Sequence, residues 1–337
     1  MKLIVNRTAV ERTSQGGRRY YDGIVKALRW PGNIEQSHRP RWAPLERPSE
    51  LLQRGSRDAI FWSPSQRGPL FARHHVVTVL DCINVEYIYR GDWRLPVLRA
   101  MTNVVLRNAE AIVAISHATR DAVLRNYAVD AAKVLVIPGP VDFRLHVTGA
   151  PLQAEPPADG SRFVLMICNA LPHKNTALAA RAFAASEAAA CGISLRVVGS
   201  IEAAGLAACE TAGVKVELRT GVSDAELSSW LARAEFLLSP SLDEGLNLPI
   251  AEALTQGGRV LCSDIPVHRE FYDGQAHFFD PLRLDGIISA LNEAFGRQPS
   301  GWPTRHVPIG PSFDDVASQY LALFERLVSA NGLPSRS

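Results

Sequence analysis

Glu244 and Glu252 stand with seven residues between them in the stretch Ser239-Pro-Ser-Leu-Asp-Glu-Gly-Leu-Asn-Leu-Pro-Ile-Ala-Glu-Ala-Leu254. What separates them is a Gly/Asn/Pro turn leading into an apolar helix. The preceding run, 235–239, predicts a buried parallel strand, because a short continuous hydrophobic stretch bounded by turn residues suits a strand covered on both faces. The helix is expected to start near Pro249, since proline is favoured in a first turn, with Asn247 before it to satisfy free backbone donors. Glu252 then falls in the first turn, where the helix dipole stabilises a carboxylate by about 0.3–1 kcal/mol. Strand, turn and helix together leave unpaired N–H groups at the carboxyl edge of a sheet. Open α/β folds bind ligands at that edge, and a helix N-terminus attracts phosphate. Carboxylates beside such amides describe a sugar-nucleotide pocket. Taken singly, each acid has a plainer reading: Glu252 is a favourable early-helix residue, Glu244 a solvated loop acid, and chance pairs abound among 34 acidic residues. The whole string, strand through second glutamate, is what raises the signal.

Three further stretches carry candidate chemistry. In Met166-Ile-Cys-Asn-Ala-Leu-Pro-His-Lys-Asn175, Lys174 is expected at a helix start, where its charge adds to that of the free amides. A hydrogen bond from such a lysine to a charged group contributes about 1.5–3 kcal/mol, and the alternative is a solvated surface lysine. Thr13-Ser-Gln-Gly-Gly-Arg-Arg-Tyr-Tyr-Asp22 places paired glycines between the first strand and a helix running to about Leu28, where glycine admits close approach and positive φ. It is not a GxGxxG and gives no support for a dinucleotide. Arg18, Arg19, Tyr20 and Tyr21 make a contact suited to an anionic or sugar ligand. The strand Val76-Val-Thr-Val-Leu-Asp81 ends in an acid at the carboxyl edge, a polar candidate or equally a strand-end cap.

These residues need a scaffold. At 337 residues and 47% hydrophobic content the chain is long for one domain, and two domains are the default. Strand-like runs alternate with helix-period stretches almost from end to end, as expected of parallel sheets with helices on both faces. The runs are 2–5, 59–62, 75–80, 111–115 and 134–137, then 163–167, 195–198, 214–218, 236–238 and 260–262. They form two sets of similar size. Between the sets lies 147–161, rich in Pro, Gly and Ala, read as an interdomain linker. The expected domains are 1–146 and 162–312, with a terminal helix in 313–337 whose stripe is Val316, Tyr320, Leu323 and Phe324 and which returns to the N-terminal domain.

The net charge of +2 conceals a division. Residues 1–150 carry 22 Lys/Arg against 13 Asp/Glu, a surplus of 9, and residues 151–337 carry 14 against 21, a deficit of 7. A surplus of that size steers an anionic partner such as a sugar diphosphate, a lipid phosphate or an acidic membrane face; an arginine-rich solvated surface is the bland reading. Five scattered cysteines without CxxC or Cys/His spacing read as reduced core thiols. The opening run is too short for a signal peptide, and no stretch approaches the roughly 18 apolar residues of a membrane span, so a cytoplasmic protein is expected.

On these motifs the chain resembles a retaining glycosyltransferase of GT-B fold, in the large family four that holds many bacterial mannosyl- and glucosyltransferases. The likeness covers nearly the whole length. It implies an α/β architecture of two Rossmann-like doubly wound parallel sheets facing across a cleft. The family's pattern gives Glu244 the donor-sugar hydroxyls and Glu252 the nucleotide ribose, while the turn from Gly245 through Leu246 and Asn247 to Leu248 presents amides to sugar and diphosphate. Lys174 and Asn175 match the family's lysine and helix start at the diphosphate; the usual upstream arginine is replaced by Cys168 and Asn169, with His173 as substitute. Gly16, Gly17 and Arg18 become cleft-lining candidates, with Arg19, Tyr20 and Ser116 toward the acceptor. Leu80 stands where the family often has histidine, which leaves Asp81 as the polar candidate. Arg259 stands where proline is usual, and Cys262-Ser-Asp-Ile-Pro-Val-His-Arg-Glu270 resembles the family's next strand and loop. The resemblance implies a hexosyltransferase acting in surface-polysaccharide or lipopolysaccharide assembly, GDP-mannose being the first expectation for the donor. It implies a saccharide or lipid-linked acceptor, a peripheral contact with the inner face of a membrane, no metal or other cofactor, and no nucleic acid. The competing expectations are a GT-B sugar-nucleotide epimerase and a non-catalytic relative that kept the fold.

Overall fold

The computed structural model describes residues 2–11, 14–37, 51–141, 162–296, 301–303 and 310–334. The expected linker 147–161 lies outside them. The chain divides into two compact units, Met1–Pro140 with Pro311–Ser337, and Val141–Gly310.

In the first unit β1 (Lys2–Val5), β2 (Asn33–Gln36), β3 (Ala59–Ser63), β4 (His75–Val79), β5 (Ala111–Ala114) and β6 (Val134–Val136) form a parallel sheet in the order β2-β1-β3-β4-β5-β6. In the second, β7 (Phe163–Cys168), β8 (Ser194–Gly199), β9 (Val216–Arg219), β10 (Leu237–Ser239), β11 (Val260–Ser263) and β12 (His277–Phe279) run parallel in the order β12-β11-β10-β7-β8-β9. Counted from β7, that is the doubly wound order of a dinucleotide-type fold, with the strand order reversing between β7 and β10. Both sheets are Rossmann-like, as the alternation of elements implies. The central strands are buried along their length, β3 and β4 at all five positions each, which is why they read as unbroken apolar runs rather than alternating ones. The second core joins Val164, Met166, Phe183, Leu195, Phe236 and Leu261 under the flanking helices.

Ten strands fall where their apolar runs place them, within two residues at each end. Two were not legible: β2 is exposed at all four positions, and β12 has three residues. The terminal helix, Phe313–Ala330, is opened by a capping box in which Ser312 and Asp315 bond each other's backbone. It buries Val316, Tyr320, Leu323, Phe324 and Val328 within the first unit. Tyr320 packs on Trp62 with ring centroids 5.1 Å apart, and its hydroxyl lies 2.7 Å from that of Thr78. Cys82, Cys209 and Cys262 are buried thiols, but Cys168 is only half-buried and Cys191 exposed, which corrects the expectation of five core thiols. Among the described residues no helix is long and apolar enough to cross a membrane.

Candidate functional site

The strand-order reversal of the second sheet lies between β7 and β10, so the segments leaving their carboxyl ends flank one crevice edge. The segment after β7 makes a 3-10 turn, Pro172–Lys174; the segment after β10 carries Glu244. A backbone bond from the Leu242 amide to the His173 carbonyl, 2.7 Å, ties the two together. Across that tie Lys174 Nζ donates to Glu244 Oε1 at 2.5 Å, and Ser241 Oγ donates to the same oxygen at 2.7 Å. The two ionic side chains are 18% and 10% exposed, so the pair is largely withdrawn from water. Burial raises the Glu244 pKa, but the Lys174 charge and the hydrogen bonds from Lys174 and Ser241 outweigh it and hold the carboxyl below its ordinary value. Glu244 is thus a carboxylate at neutral pH, with a second oxygen available for hydroxyl donors.

The turn beyond Glu244 is held by Asn247 together with Ser239, His268 and Tyr272, three side chains that sequence reasoning did not single out. Asn247 adopts a left-handed conformation, φ 66° and ψ 68°, a strained state for a non-glycine residue. Its amide explains how it persists: Nδ2 donates to Ser239 Oγ and to His268 Nε2, both at 2.8 Å. His268 Nδ1 lies 2.8 Å from the Ser263 carbonyl, which only accepts, so Nδ1 carries the proton and Nε2 is the acceptor. Burial lowers the His268 pKa to about 4, in keeping with that neutral ring. Tyr272 donates its hydroxyl to the Leu246 carbonyl at 2.8 Å. With its carbonyls and Asn247 clamped from behind, the turn leaves the amides of Gly245, Leu246, Asn247 and Leu248 without an acceptor among the described residues. They open the helix Leu248–Thr255. Of these, Leu248 is the helix's first residue and Asn247 its N-cap, a place where unpaired amides favour an anion.

Several expected roles change. The helix begins one residue before Pro249, so Glu252 is its fifth residue and lies beyond the first turn; it is 3% exposed and buried beside Tyr272. Asn247 does not cap through its side chain, which is committed behind the turn. Asn175, also left-handed at φ 51°, donates Nδ2 to the Pro281 carbonyl at 2.8 Å. The helix that follows, Thr176–Ala184, already holds an anion: Glu202 Oε2 accepts from the Ala177 amide at 3.2 Å and faces Thr176 Oγ1 at 3.3 Å. Glu202 thus occupies the start of the helix after Asn175, whereas the amides from Gly245 to Leu248 meet no acceptor among the described residues. His173 is buried, and burial lowers its pKa to about 4, so it is neutral and does not supply the charge of the absent arginine.

In the first unit the glycine pair is not a loop with positive φ. Gly16 and Gly17 lie inside the first turn of the helix Gln15–Ala27, and Ser14 caps it by accepting from the Gly17 amide at 3.2 Å. A short helix, Arg7–Glu11, intervenes after β1. Tyr20 does not face a ligand: it is 3% exposed and its hydroxyl lies 3.1 Å from that of Tyr320 in the core. Ser116, wholly buried, caps the helix His117–Asn126 through the Thr119 amide at 2.9 Å. Arg18 is exposed and donates to the Glu11 carbonyl; Arg19 is half-buried. Asp81 follows β4, and its Oδ1 accepts from the Ile83 amide at 3.1 Å, the geometry of a turn-forming aspartate.

Comparison with known proteins places this architecture. The profile of Glycosyl transferases group 1 matches residues 161–294, and that of Glycosyltransferase Family 4 matches residues 8–145. An MMP alpha-(1->4)-mannosyltransferase of Mycolicibacterium hassiacum is 26% identical over 285 residues, 77% of this chain and 66% of that protein, so the match takes in about two thirds of the relative's length. Among solved structures, WaaG, a glycosyltransferase involved in lipopolysaccharide biosynthesis, superposes with a TM-score of 0.66 at 15% identity, covering 98% of both chains. Anabaena Alr3699/HepE, in complex with UDP and glucose, superposes at 0.63 with 14% identity over 98% of this chain and 99% of that one. At such identity the structural likeness speaks for the fold alone. With a family-four module on one parallel sheet and a group 1 module on the other, the chain belongs among the glycosyltransferases of GT-B fold.

Proposed function

We propose that this glycosyltransferase moves a hexose from a nucleotide-diphosphate sugar to a saccharide or lipid-linked saccharide acceptor, with retention of anomeric configuration, in the cytoplasmic assembly of a surface polysaccharide or lipopolysaccharide. The observation that carries the reading is the Lys174–Glu244 pair beside four acceptor-less amides at one strand-order reversal. Glu244 Oε1 lies 2.5 Å from Lys174 Nζ, so a sugar hydroxyl received by this carboxylate stands next to the phosphate that the ammonium neutralises. Glu252 takes the ribose, and the amides from Gly245 to Leu248 take the diphosphate. GDP-mannose is the first donor to try, a choice favoured by the mannosyltransferase relative.

In this reaction the bond from the anomeric carbon to the diphosphate oxygen breaks as the bond to the acceptor oxygen forms on the same face. The departing phosphate takes the acceptor proton, and no side-chain base is needed. Lys174 and the preorganised amides stabilise the leaving charge in a site withdrawn from water, where losing one such donor costs on the order of 100- to 1000-fold in rate. No resident metal or cofactor enters this scheme. A thermal-shift panel of UDP, GDP, dTDP and ADP tests it first. One of them is expected to stabilise the protein, by about 2.7 kcal/mol at 100 times its dissociation constant. A flat response to all four sinks the donor site. NMR of the product then reads the anomeric configuration; inversion would transfer the base role to Asp81.

A further inference from the structure

We propose that His268 is a positioning residue of the donor site. From behind, it fixes the 245–248 turn and the Glu244 carboxylate as one unit, so that binding of the second phosphate of a nucleoside diphosphate depends on its Nε2. The inference rests on the reaction proposed above, which assigns the amides of that turn to the diphosphate. His268 is wholly buried, so whatever it does for a ligand passes through other residues. Its ring joins the two halves of the site. On one side Nε2 accepts from Asn247 Nδ2 at 2.8 Å, the bond that holds the left-handed turn. On the other, Nδ1 faces the Ser263 carbonyl at 2.8 Å and Ser263 Oγ at 3.2 Å. That hydroxyl commits its own proton to the Ser241 carbonyl, 2.5 Å away. Both groups facing Nδ1 are therefore acceptors, and the ring has one tautomer open to it. Ser241 in turn donates its hydroxyl to Glu244 Oε1 at 2.7 Å. The chain of contacts runs without a break from Asn247 through His268, Ser263 and Ser241 to Glu244.

The element that carries the ring is itself built as a backing for the turn. His268 and Tyr272 stand four apart on the helix Pro266–Tyr272 and so share a face. Tyr272 donates to the Leu246 carbonyl at 2.8 Å and lies 3.2 Å from that of Asn247. Arg269, between them, forks onto Asp264 at 2.7 and 2.8 Å, which pins the helix to the end of the strand it leaves. Without Nε2, Asn247 Nδ2 keeps only Ser239 Oγ, in a residue whose φ of 66° persists only while its surroundings over-determine it. The amides of Asn247 and Leu248 then lose their fixed direction, and a phosphate oxygen meets donors that are no longer preorganised.

Calorimetry on the full chain tests this with the diphosphate that stabilises it among UDP, GDP, dTDP and ADP, and with the monophosphate of the same base. His268→Asn brings an amide to the place of Nδ1 and keeps a donor for Ser263, but it does not reach Asn247. His268→Gln brings an amide oxygen to the place of Nε2 and restores the acceptor. His268→Asn is expected to weaken the diphosphate about tenfold or more and the monophosphate less than about twofold, whereas His268→Gln keeps the diphosphate within about threefold. Asn247→Ala deletes the same bond from its other end and is expected to repeat the loss, so the result does not hang on the folding of one variant. A histidine that merely filled the core would weaken both nucleotides alike. Equal losses for the two nucleotides therefore overturn the proposal, as does wild-type diphosphate binding by His268→Asn, or a Gln variant as weak as the Asn one. A wild-type chain that binds the diphosphate no better than the monophosphate also overturns it while leaving the donor site standing. A flat response to all four diphosphates sinks the donor reading itself, and the inference with it.

Discussion

Lys174 and Glu244 hold each other in place, and the lowered pKa of Glu244 sets the sign of what their removal does. In the folded chain Glu244 titrates below its ordinary value. The group therefore adds stability above its unfolded pKa and loses it as pH falls through the folded one. Lys174→Met removes the charge that most lowers the carboxyl, leaving burial opposed chiefly by the Ser241 hydrogen bond. The variant is expected to lose about 1–3 kcal/mol at pH 7, a loss that shrinks on acidification as Glu244 takes up a proton; urea melts across pH measure it. Glu244→Ala is expected to abolish transfer while leaving nucleotide affinity nearly intact, and full turnover with saturating donor would remove the sugar-contact assignment. Asn247 and His268 are expected to be energetically coupled. His268→Ala orphans one Asn247 donor and costs about 1–3 kcal/mol, whereas Asn247→Gly tolerates φ 66° and needs no such partner. The double variant is then less damaged than the sum of the two, and an additive cycle would refute the clamp. That Glu244 and Lys174 come together was legible because residue type, spacing and flanking turn are local. Tyr20 and Asn175 were not, since their partners lie 300 and 106 positions away. Ser116 was misread because a buried serine that caps a helix looks, in sequence, like one that lines a cleft.

At the scale of elements, continuous apolar runs announced the buried strands, and the proline and glycine between them announced the turns. What escaped were elements whose stability comes from neighbours. Strand β2, Asn-Ile-Glu-Gln, is an exposed edge held by pairing with β1 rather than by burial. The glycine pair at 16–17 suggested a strand–helix turn with positive φ, but Ser14 and the remainder of the helix override glycine's poor helical propensity. A glycine that does need its freedom is Gly199 at the end of β8. Its φ is +114°, and a Cβ there would lie 1.9 Å from the Cys168 carbonyl oxygen. Strain and overlap with rigid backbone lead to an expected cost of about 2–4 kcal/mol for Gly199→Ala. Because Cys168 leads into the segment that carries Lys174, nucleotide-induced stabilisation should fall with it. Wild-type melting and wild-type nucleotide response in that variant would contradict the packing described.

For the molecule as a whole, three histidines buried in a neutral state set the acid limit. Burial lowers the pKa of His75 to about 3 and of His173 and His268 to about 4. All three refuse a proton that the unfolded chain accepts near pH 6.5. Their stabilisation is complete above that value and declines as pH falls toward 4, by about 1.4 kcal/mol per pH unit for each histidine. Melting temperature is expected to drop between pH 7 and pH 5, and His268→Gln to flatten the slope; a level profile over that interval would exclude the mechanism. The first unit is also discontinuous in sequence, since Val316, Tyr320 and Phe324 fill its interior from the far end of the chain. A ribosome releases domains in order of completion. The second unit therefore has all of its strands in hand first, and the amino-terminal half waits, with Trp62 uncovered, for residues 313–330 to be made. Any message cut short before codon 313 yields a protein whose opening half has no lid for its hydrophobic interior, and quality control will meet that half first.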